Sequence, residues 1–311
     1  MKNRFSTRAL RGLVSVGLFV VVCFLVVAAL ENQGSAAEKP LHIIVFGAHP
    51  DDCEFDAGGV AAKWAKLGHK VKFVSVTNGD IGHTVIAGGP LAQRRTKEVQ
   101  DVAKILGIET QVLDNHDGEL MPTLENRKTI IRLIREWKAD LVITHRPNDY
   151  HPDHRYTSIL VQDAAYMVTV PFICPDTPQL KSNPVFMYSA DGFQKPNPFK
   201  PDVVVSIDDV YDQTLSALDC LASQIYEYGA GGDIDPNTFI KGDKATRMEW
   251  LRKRMDGRFR AREGWKPLLE EFYGKEAAAS VKHVQAFELC EYGDRPSKEE
   301  LKNLFPFFTV K

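Results

Sequence analysis

Two short clusters of histidine and aspartate are the residues of this sequence best suited to chemistry. The first is His49-Pro50-Asp51-Asp52, and the second, about a hundred residues later, is His151-Pro152-Asp153-His154. Imidazole nitrogens and carboxylate oxygens are common ligands of Zn²⁺, and two imidazoles with one carboxylate leave a fourth position open, as in catalytic zinc sites. We therefore expect the two clusters to form one metal site.

The spacing within each cluster suggests separate chemical roles for the side chains that do not bind the metal. His49 and Asp52 are three residues apart, so one turn of chain can aim both at a common point and leave Asp51 free. A bound metal lowers the pKa of its water, and a free carboxylate such as Asp51 can take the proton. His151 can stabilise an oxyanion or protonate a leaving amine, with Asp153 orienting its ring. These parts predict metal-assisted hydrolysis of an amide or an ester.

Each cluster follows a segment that is typical of a buried strand. Ile43 to Phe46 and Leu141 to Thr144 are short runs rich in β-branched residues, as in the strands of a parallel sheet. Ligand sites of open α/β sheets lie at the carboxyl ends of the strands. The two clusters are therefore expected to meet at one edge of a sheet.

The rest of the chain alternates strands with helices, which predicts a Rossmann-like, doubly wound, mostly parallel α/β sheet with helices on both faces. We find no internal repeat and no linker, so one domain is expected over residues 38–311. Asp208 is expected to cap a single helix from Tyr211 to Ile225. Residues 229–243 are expected to be a surface loop, although the loop is long enough for a lid. The other predicted elements are helices at 54–67, 99–107, 130–137, 156–168 and 244–262, and strands at 70–76, 111–113, 185–188, 203–207 and 284–289.

The two clusters also resemble the PIG-L/LmbE family of zinc-dependent N-deacetylases, which remove acetyl groups from N-acetylglucosamine units. The resemblance extends through Gly58-Gly59, Thr77-Asn78-Gly79, the helix with Arg95 and Glu98, Asp117-Gly118 and, weakly, Ser223-Gln224. It implies an LmbE-like fold, a small-molecule or glycoconjugate substrate, and Zn²⁺ as cofactor, with Fe²⁺ as the alternative. The implied roles are metal ligands for His49, Asp52 and His154, general base for Asp51, transition-state stabiliser for His151 paired with Asp153, and sugar contact for Arg95.

The sequence departs from the family pattern at several positions. Cys53 stands where many relatives have Glu, Leu221 replaces a frequent histidine, and residues 225–311 match nothing in the pattern. Cys53 is expected to be a small, half-buried filler on the first helical turn rather than a ligand. Two alternatives remain open: deacylation of a non-sugar amide or ester, and a metal-containing protein that binds sugar without turnover. The intact Asp51 and His151 argue against the second, because binding alone needs neither a base nor an acid.

The N-terminus predicts export. Residues 1–37 combine four basic side chains, an apolar run from Leu13 to Leu30, and the small residues Ser35-Ala36-Ala37, the order of a signal peptide. The run is also close to the length of a membrane span, so an uncleaved signal anchor is the alternative. Either way the protein is expected outside the cytoplasm, and it is expected to touch the membrane only if this segment stays uncleaved. The remainder carries a formal charge of about −5, given −2 for the whole chain. With no basic cluster expected, nucleic acid is not a predicted partner.

Overall fold

The computed structural model describes residues 39–227 and 243–308. The predicted signal segment and nearly all of the predicted surface loop at 229–243 lie outside these residues. Within them, no helix has both the length and the apolar composition that a membrane crossing requires.

Seven strands form one mixed sheet. Strand β1 lies in its interior and pairs in parallel with β2 on one side and β4 on the other. Strand β7 is antiparallel to both of its neighbours, β5 and β6. The strand order is β3-β2-β1-β4-β5-β7-β6. The strands are β1 (His42–Gly47), β2 (Lys70–Ser75), β3 (Glu109–Val112), β4 (Leu141–Thr144), β5 (Val185–Ser189), β6 (Val203–Ser206) and β7 (Val284–Cys290).

Helices cover both faces of the sheet. Alternation along β1 shows this directly, since Ile43 and Val45 belong to one apolar core, whereas Ile44 and Phe46 belong to the core on the other face. A strand that is buried on both faces reads as a continuous apolar run, which is why β1 was recognisable in the sequence. The α-helices in the described residues are α1 (Asp52–Lys66), α2 (Gly89–Leu106), α3 (Leu124–Trp137), α4 (Pro152–Met167), α5 (Tyr211–Leu218), α6 (Ala222–Ile225), α7 (Lys244–Phe259), α8 (Lys266–Tyr273), α9 (Lys275–Ser280) and α10 (Lys298–Leu304).

The two cores divide the helices between them. The larger core receives apolar side chains from α1, α2, α5 and α7, and the second receives them from α3 and α4. In α1, Gly59 allows the close approach of helix to sheet, because a Cβ there would lie 2.8 Å from Ile207 Cγ2. The doubly wound, mostly parallel fold expected from the sequence is confirmed.

The segment after β6 differs from the prediction. The expected single helix is interrupted between α5 and α6, because Ser223 turns toward α2, where its Oγ donates to Glu98 Oε2 at 2.6 Å. The role expected for Asp208 as a helix cap is also wrong. Its carboxylate accepts instead from the backbone N–H groups of Lys282 and His283, at 2.9 and 3.0 Å, and so fixes the start of β7.

Candidate metal centre and active site

The two histidine–aspartate clusters meet at the carboxyl ends of β1 and β4. Chain connections leave β1 and β4 toward opposite sides of the sheet, which makes the crevice between these neighbouring strands a topological switch point. The chain after β1 enters α1 at Asp52, and the chain after β4 enters α4 at Pro152. Both clusters thus lie at helix N-termini, where the helix dipole favours carboxylates.

The three predicted metal ligands converge on one point. His49 Nδ1 lies 3.2 Å from His154 Nε2, and oxygens of Asp52 lie 3.4 Å from His49 Nδ1 and 3.5 Å from His154 Nε2. Ligands at about 2.0–2.1 Å from a tetrahedral Zn²⁺ are separated by roughly 3.3 Å. Two ring nitrogens with converging lone pairs also need a proton or a cation between them. The donor set and its spacing therefore fit a divalent metal.

A second combination, Asp52 with His145 and His154, is also close enough to hold a metal. No feature of the sequence distinguished His145, which was expected to be an ordinary histidine. Its Nε2 accepts a hydrogen bond from Ala48 N–H at 3.0 Å, and its ring stacks on His154 at 4.2 Å between centroids. Because the Nε2 lone pair is already used, His145 is better suited to supporting the His154 ring on which it stacks than to binding the metal.

Carboxylates hold the far nitrogens of both ligand histidines. His49 Nε2 lies 3.2 Å from Asp153 Oδ2 and 3.1 Å from Asp117 Oδ1. His154 Nδ1 lies 3.1 Å from Asp149 Oδ1. Such carboxylates fix the tautomer and orientation of a metal-binding imidazole and raise its basicity. Asp149 and Asp117 had no role in the sequence prediction, although both follow strand ends at this edge of the sheet.

The structure corrects the expected pairing of Asp153 with His151. The Asp153 carboxylate is turned toward His49 and also accepts from Gly118 N–H at 2.7 Å. Contact with His151 is made by the backbone of Asp153, whose N–H donates to His151 Nδ1 at 3.2 Å. His151 is therefore the N-cap of α4. The sequence could not reveal this, because a residue two positions from a histidine can meet it through either the side chain or the main chain.

The carboxylates around His49 and His154 favour a positive charge at the place where these two side chains converge. Burial lowers the pKa of His49, but hydrogen bonds with Asp117, Asp153 and Asp52 outweigh it and raise that pKa well above its ordinary value. For His154, burial likewise lowers the pKa, and the nearby Asp52 and Asp149 raise it above normal. A site that attracts protons this strongly without a metal will attract a divalent cation for the same reason.

Asp51 is buried and keeps its carboxyl group free. Among the described residues its side chain has no hydrogen-bond partner, and it lines a cavity of about 920 Å³ beside the metal-binding residues. Burial, followed by the charge of Asp52, raises the pKa of Asp51 to about 6. A carboxyl group with a pKa near the working pH is suited to general-base catalysis.

His151 faces the same cavity with its second nitrogen. Its Nδ1 accepts from the Asp153 backbone, so in the neutral ring the proton is on Nε2. Burial lowers the pKa of His151, and the charges of His49 and His154 lower it further. The ring is therefore a neutral N–H donor, able to hydrogen-bond an oxygen on which negative charge develops.

Arg95 lies at the wall of the cavity with a buried guanidinium. It donates to Gly82 O at 2.6 Å and to Gln224 Oε1. Gly79 has a φ of +68°, and a Cβ there would lie 2.8 Å from Arg95 Cδ, so the turn packs directly on the arginine. Arg95 thus lies at the cavity, and its expected contact with a sugar stays a prediction.

None of the cysteines in the described part of the chain contributes to the centre. Cys53 is buried, with its Sγ directed at the carbonyls of Val45 and Val74 in the sheet, which confirms the filler interpretation. The other described cysteines, Cys174, Cys220 and Cys290, also have free thiols.

The fold and site define a class of α/β protein with a candidate His–Asp–His metal site at a sheet switch point. The sequence model of the PIG-L family, described as GlcNAc-PI de-N-acetylase, matches residues 44–165. A diacetylchitobiose deacetylase of Thermococcus kodakarensis is 33% identical over 185 residues, covering 58% of this chain and 68% of that protein. The chain therefore belongs to the PIG-L family of de-N-acetylases.

Other relatives show what this fold can accommodate. An N,N'-diacetylchitobiose deacetylase from Pyrococcus horikoshii superposes with a TM-score of 0.60 at 20% identity, covering 94% of this chain and 96% of its own. A 4-oxalmesaconate hydratase of Pseudomonas putida is 25% identical over 198 residues, or 60% of this chain and 75% of that protein. The structural match shows the shared fold. The relatives of this chain therefore include one named as a hydratase as well as those named as deacetylases.

Proposed function

We propose that this protein is a zinc-dependent hydrolase that releases acetate from an N-acetylated amino sugar or its conjugate. The observation that carries the proposal is the His49–Asp52–His154 triangle, with separations of 3.2–3.5 Å, beside a buried carboxyl group that is left free. The relatives named as deacetylases of acetylated sugars support the substrate class. When bound by the three ligands, Zn²⁺ would polarise the acetamide carbonyl and acidify a water molecule.

The side chains of this chain then perform the proton transfers. Asp51 takes a proton from the attacking water as the hydroxyl forms a bond to the acetyl carbon. His151 Nε2–H donates a hydrogen bond to the carbonyl oxygen while it carries negative charge. Breaking the C–N bond requires a proton on the departing nitrogen, which the protonated Asp51 supplies. The products are acetate and a free amine.

Acetate release from a panel of N-acetylated sugars is the direct test. Protein purified without chelator should contain about one metal per chain, and His154→Ala should contain much less. Turnover should be measured after reconstitution with Zn²⁺ and, separately, with Fe²⁺. Full metal content in His154→Ala would overturn the ligand assignment.

The same assay separates the competing functions. A protein that only binds sugar would release no acetate from any substrate. A deacylase for other amides or esters would not hydrolyse the N-acetylated sugars of the panel. A hydratase would add water to its substrate without forming acetate, which mass analysis of the product detects.

We also propose that the protein acts outside the cytoplasm, on the basis of the basic, apolar and small-residue order of residues 1–37. N-terminal sequencing of the native protein should give a start near Glu38. Recovery of intact protein beginning at Met1 from the membrane fraction would favour the anchor instead.

A further inference from the structure

Residues 244–262 form a strongly basic segment, made of helix α7 and the three residues after it. The segment has eight basic and two acidic side chains, in a chain whose formal charge is −2. The expectation that this chain has no basic cluster is therefore wrong. The segment lies in the part that matched nothing in the family pattern, so its charge is a property of this chain that the family does not explain.

Several basic side chains of the segment are neutralised by a carboxylate. Arg247 donates to Asp219 at 2.7 and 3.0 Å, and Lys253 lies 2.8 Å from Glu249. Exposed pairs of this kind are common and contribute little energy. Four ion pairs neutralise basic side chains of the segment: Arg247 with Asp219, Arg252 with Asp212, Lys253 with Glu249, and Arg260 with Asp256.

Three further arginines line the cavity that contains the metal-binding residues: Arg254, Arg258 and Arg262. Arg254 and Arg258 are four residues apart in α7 and so share one side of the helix, whereas Arg262 follows the helix end in extended chain. Arg258 is paired with Asp56 Oδ1 at 2.9 Å. Within the described parts of the chain, Arg254 and Arg262 have no carboxylate partner. Arg254 stacks on Trp250, 5.5 Å from the ring centroid, and Arg262 on Trp265 at 4.5 Å.

The contrast between the two sets of arginines is informative. The arginines that face away from the cavity are neutralised by carboxylates, whereas Arg254 and Arg262 are not. Arg262 also donates from Nη1 and Nη2 to the main-chain oxygen of Asp191 at 3.3 Å, which holds it in place without neutralising its charge. A guanidinium presents its N–H groups in a planar fork that matches carboxylates and phosphates. Stacking restricts the side chain and so lowers the entropy that a ligand must overcome.

The same cavity also contains the carboxylates of the metal centre. Asp51, Asp52 and Asp117 line it beside the metal-binding histidines. An anionic group on the substrate would be repelled by these carboxylates and attracted to Arg254 and Arg262. The lining therefore combines the residues of acetyl hydrolysis with cationic groups that no carboxylate neutralises.

We propose that Arg254 and Arg262 bind a carboxylate or phosphate carried by the substrate at a position away from the reacting acetamide. The proposal rests on the proposed function, since it narrows the N-acetylated substrate to an anionic glycoconjugate. The two guanidinium groups are specificity-determining, and the hydrolysis itself is performed by the residues at the metal centre.

The test compares matched anionic and neutral substrates. One pair is the disaccharide of N-acetylglucosamine linked to N-acetylmuramic acid, whose lactyl ether carries a carboxylate, against neutral N,N'-diacetylchitobiose. The second pair is N-acetylglucosamine 1-phosphate against the methyl glycoside of N-acetylglucosamine. The wild-type zinc-loaded protein should favour the anionic member of at least one pair in kcat/KM. The pair that shows the preference identifies carboxylate or phosphate.

Arg254→Gln and Arg262→Gln should each lower the anionic-to-neutral ratio of kcat/KM by about tenfold, the size of one charge-assisted hydrogen bond. Arg252→Gln is the matched control, because it removes a charge from the same helix at a position that pairs with Asp212 outside the cavity. It should leave the ratio unchanged. Raising the ionic strength should reduce the wild-type preference, since the arginines are exposed. An equal ratio in wild type and both cavity variants, or a loss shared by neutral substrates, would overturn the proposal.

Binding measurements test the anion site independently of deacetylation. If no member of the panel releases acetate, calorimetric binding of the four sugars to zinc-loaded wild type, Arg254→Gln and Arg252→Gln replaces kinetics. Tighter binding of the anionic sugars that is lost in Arg254→Gln alone would support the anion site without deacetylation. Equal binding of anionic and neutral sugars would refute it.

Discussion

The adjacent aspartates Asp51 and Asp52 should respond to the same substitution in opposite ways. Asp52 contacts both ligand histidines, and its Oδ2 also accepts from His49 N–H at 2.7 Å. Asp52→Asn can keep that last hydrogen bond through its amide oxygen, but it removes the one anionic ligand of the triangle. We expect Asp52→Asn to fold and to lose most of its metal.

Asp51→Asn should keep the metal and lose activity. The Asp51 side chain has no hydrogen-bond partner in the described structure, so an isosteric amide leaves no broken contact behind. The amide cannot accept the proton of the attacking water, and the loss of a general base typically lowers the rate by about 10²–10⁴. Added Zn²⁺ should not restore this loss, whereas it should partly restore Asp52→Asn.

The assay is metal stoichiometry by elemental analysis together with acetate release, for both variants and wild type at two zinc concentrations. Wild-type-like unfolding curves for the variants serve as the control for folding. An Asp51→Asn protein that lacks metal, or one that turns over near the wild-type rate, would show that the proposed division of roles is wrong.

Three other changes test the surroundings of the site and the fold. Asp153→Asn should weaken zinc binding by about 10–100-fold in a chelator competition, because its carboxylate orients His49; unchanged affinity would refute that role. Arg135→Lys should lower the free energy of unfolding by about 3 kcal/mol in urea titrations, because the buried guanidinium donates to six backbone carbonyls and an ammonium has three donors. Lys138→Gly should raise the free energy of unfolding by about 0.5–1 kcal/mol, because Lys138 ends α3 with a φ of 54° that favours glycine. Leu67→Gly is the control: the residue that ends α1 has a φ of −86°, so glycine there should bring no such gain.

The central strands and the metal ligands could be predicted because their signals are local. A strand buried on both faces is apolar throughout, and β1 and β4 each lead directly into a polar cluster. The general rule for parallel sheets then brings the clusters together without knowledge of the remaining strands. The antiparallel insertion of β7 between β5 and β6 had no such signal, since a short apolar strand carries no mark of its direction.

The supporting residues of the site could not be predicted for a related reason. Asp117 and Asp149 act by contacting an imidazole from another strand end, and such contacts depend on strand order and loop path. His145 directly follows β4, so the rule that sites lie at the carboxyl ends of strands also applies to it. A single histidine after a strand is nevertheless too common to indicate a role. Its role emerges from the stacking on His154 and the hydrogen bond from Ala48, both of which are tertiary contacts.

His145 also links the metal centre to the basic wall of the cavity. Its Nε2 lies 3.3 Å from Asp52, and its Nδ1 lies 3.8 Å from Asp56, the carboxylate that Arg258 binds. Because Nε2 accepts from Ala48 N–H, the neutral ring carries its proton on Nδ1, facing Asp56. His145 and Asp56 therefore lie between a metal ligand and an arginine of α7. The C-terminal segment, which the family pattern left without a role, thus supplies one wall of the cavity that contains the metal-binding residues.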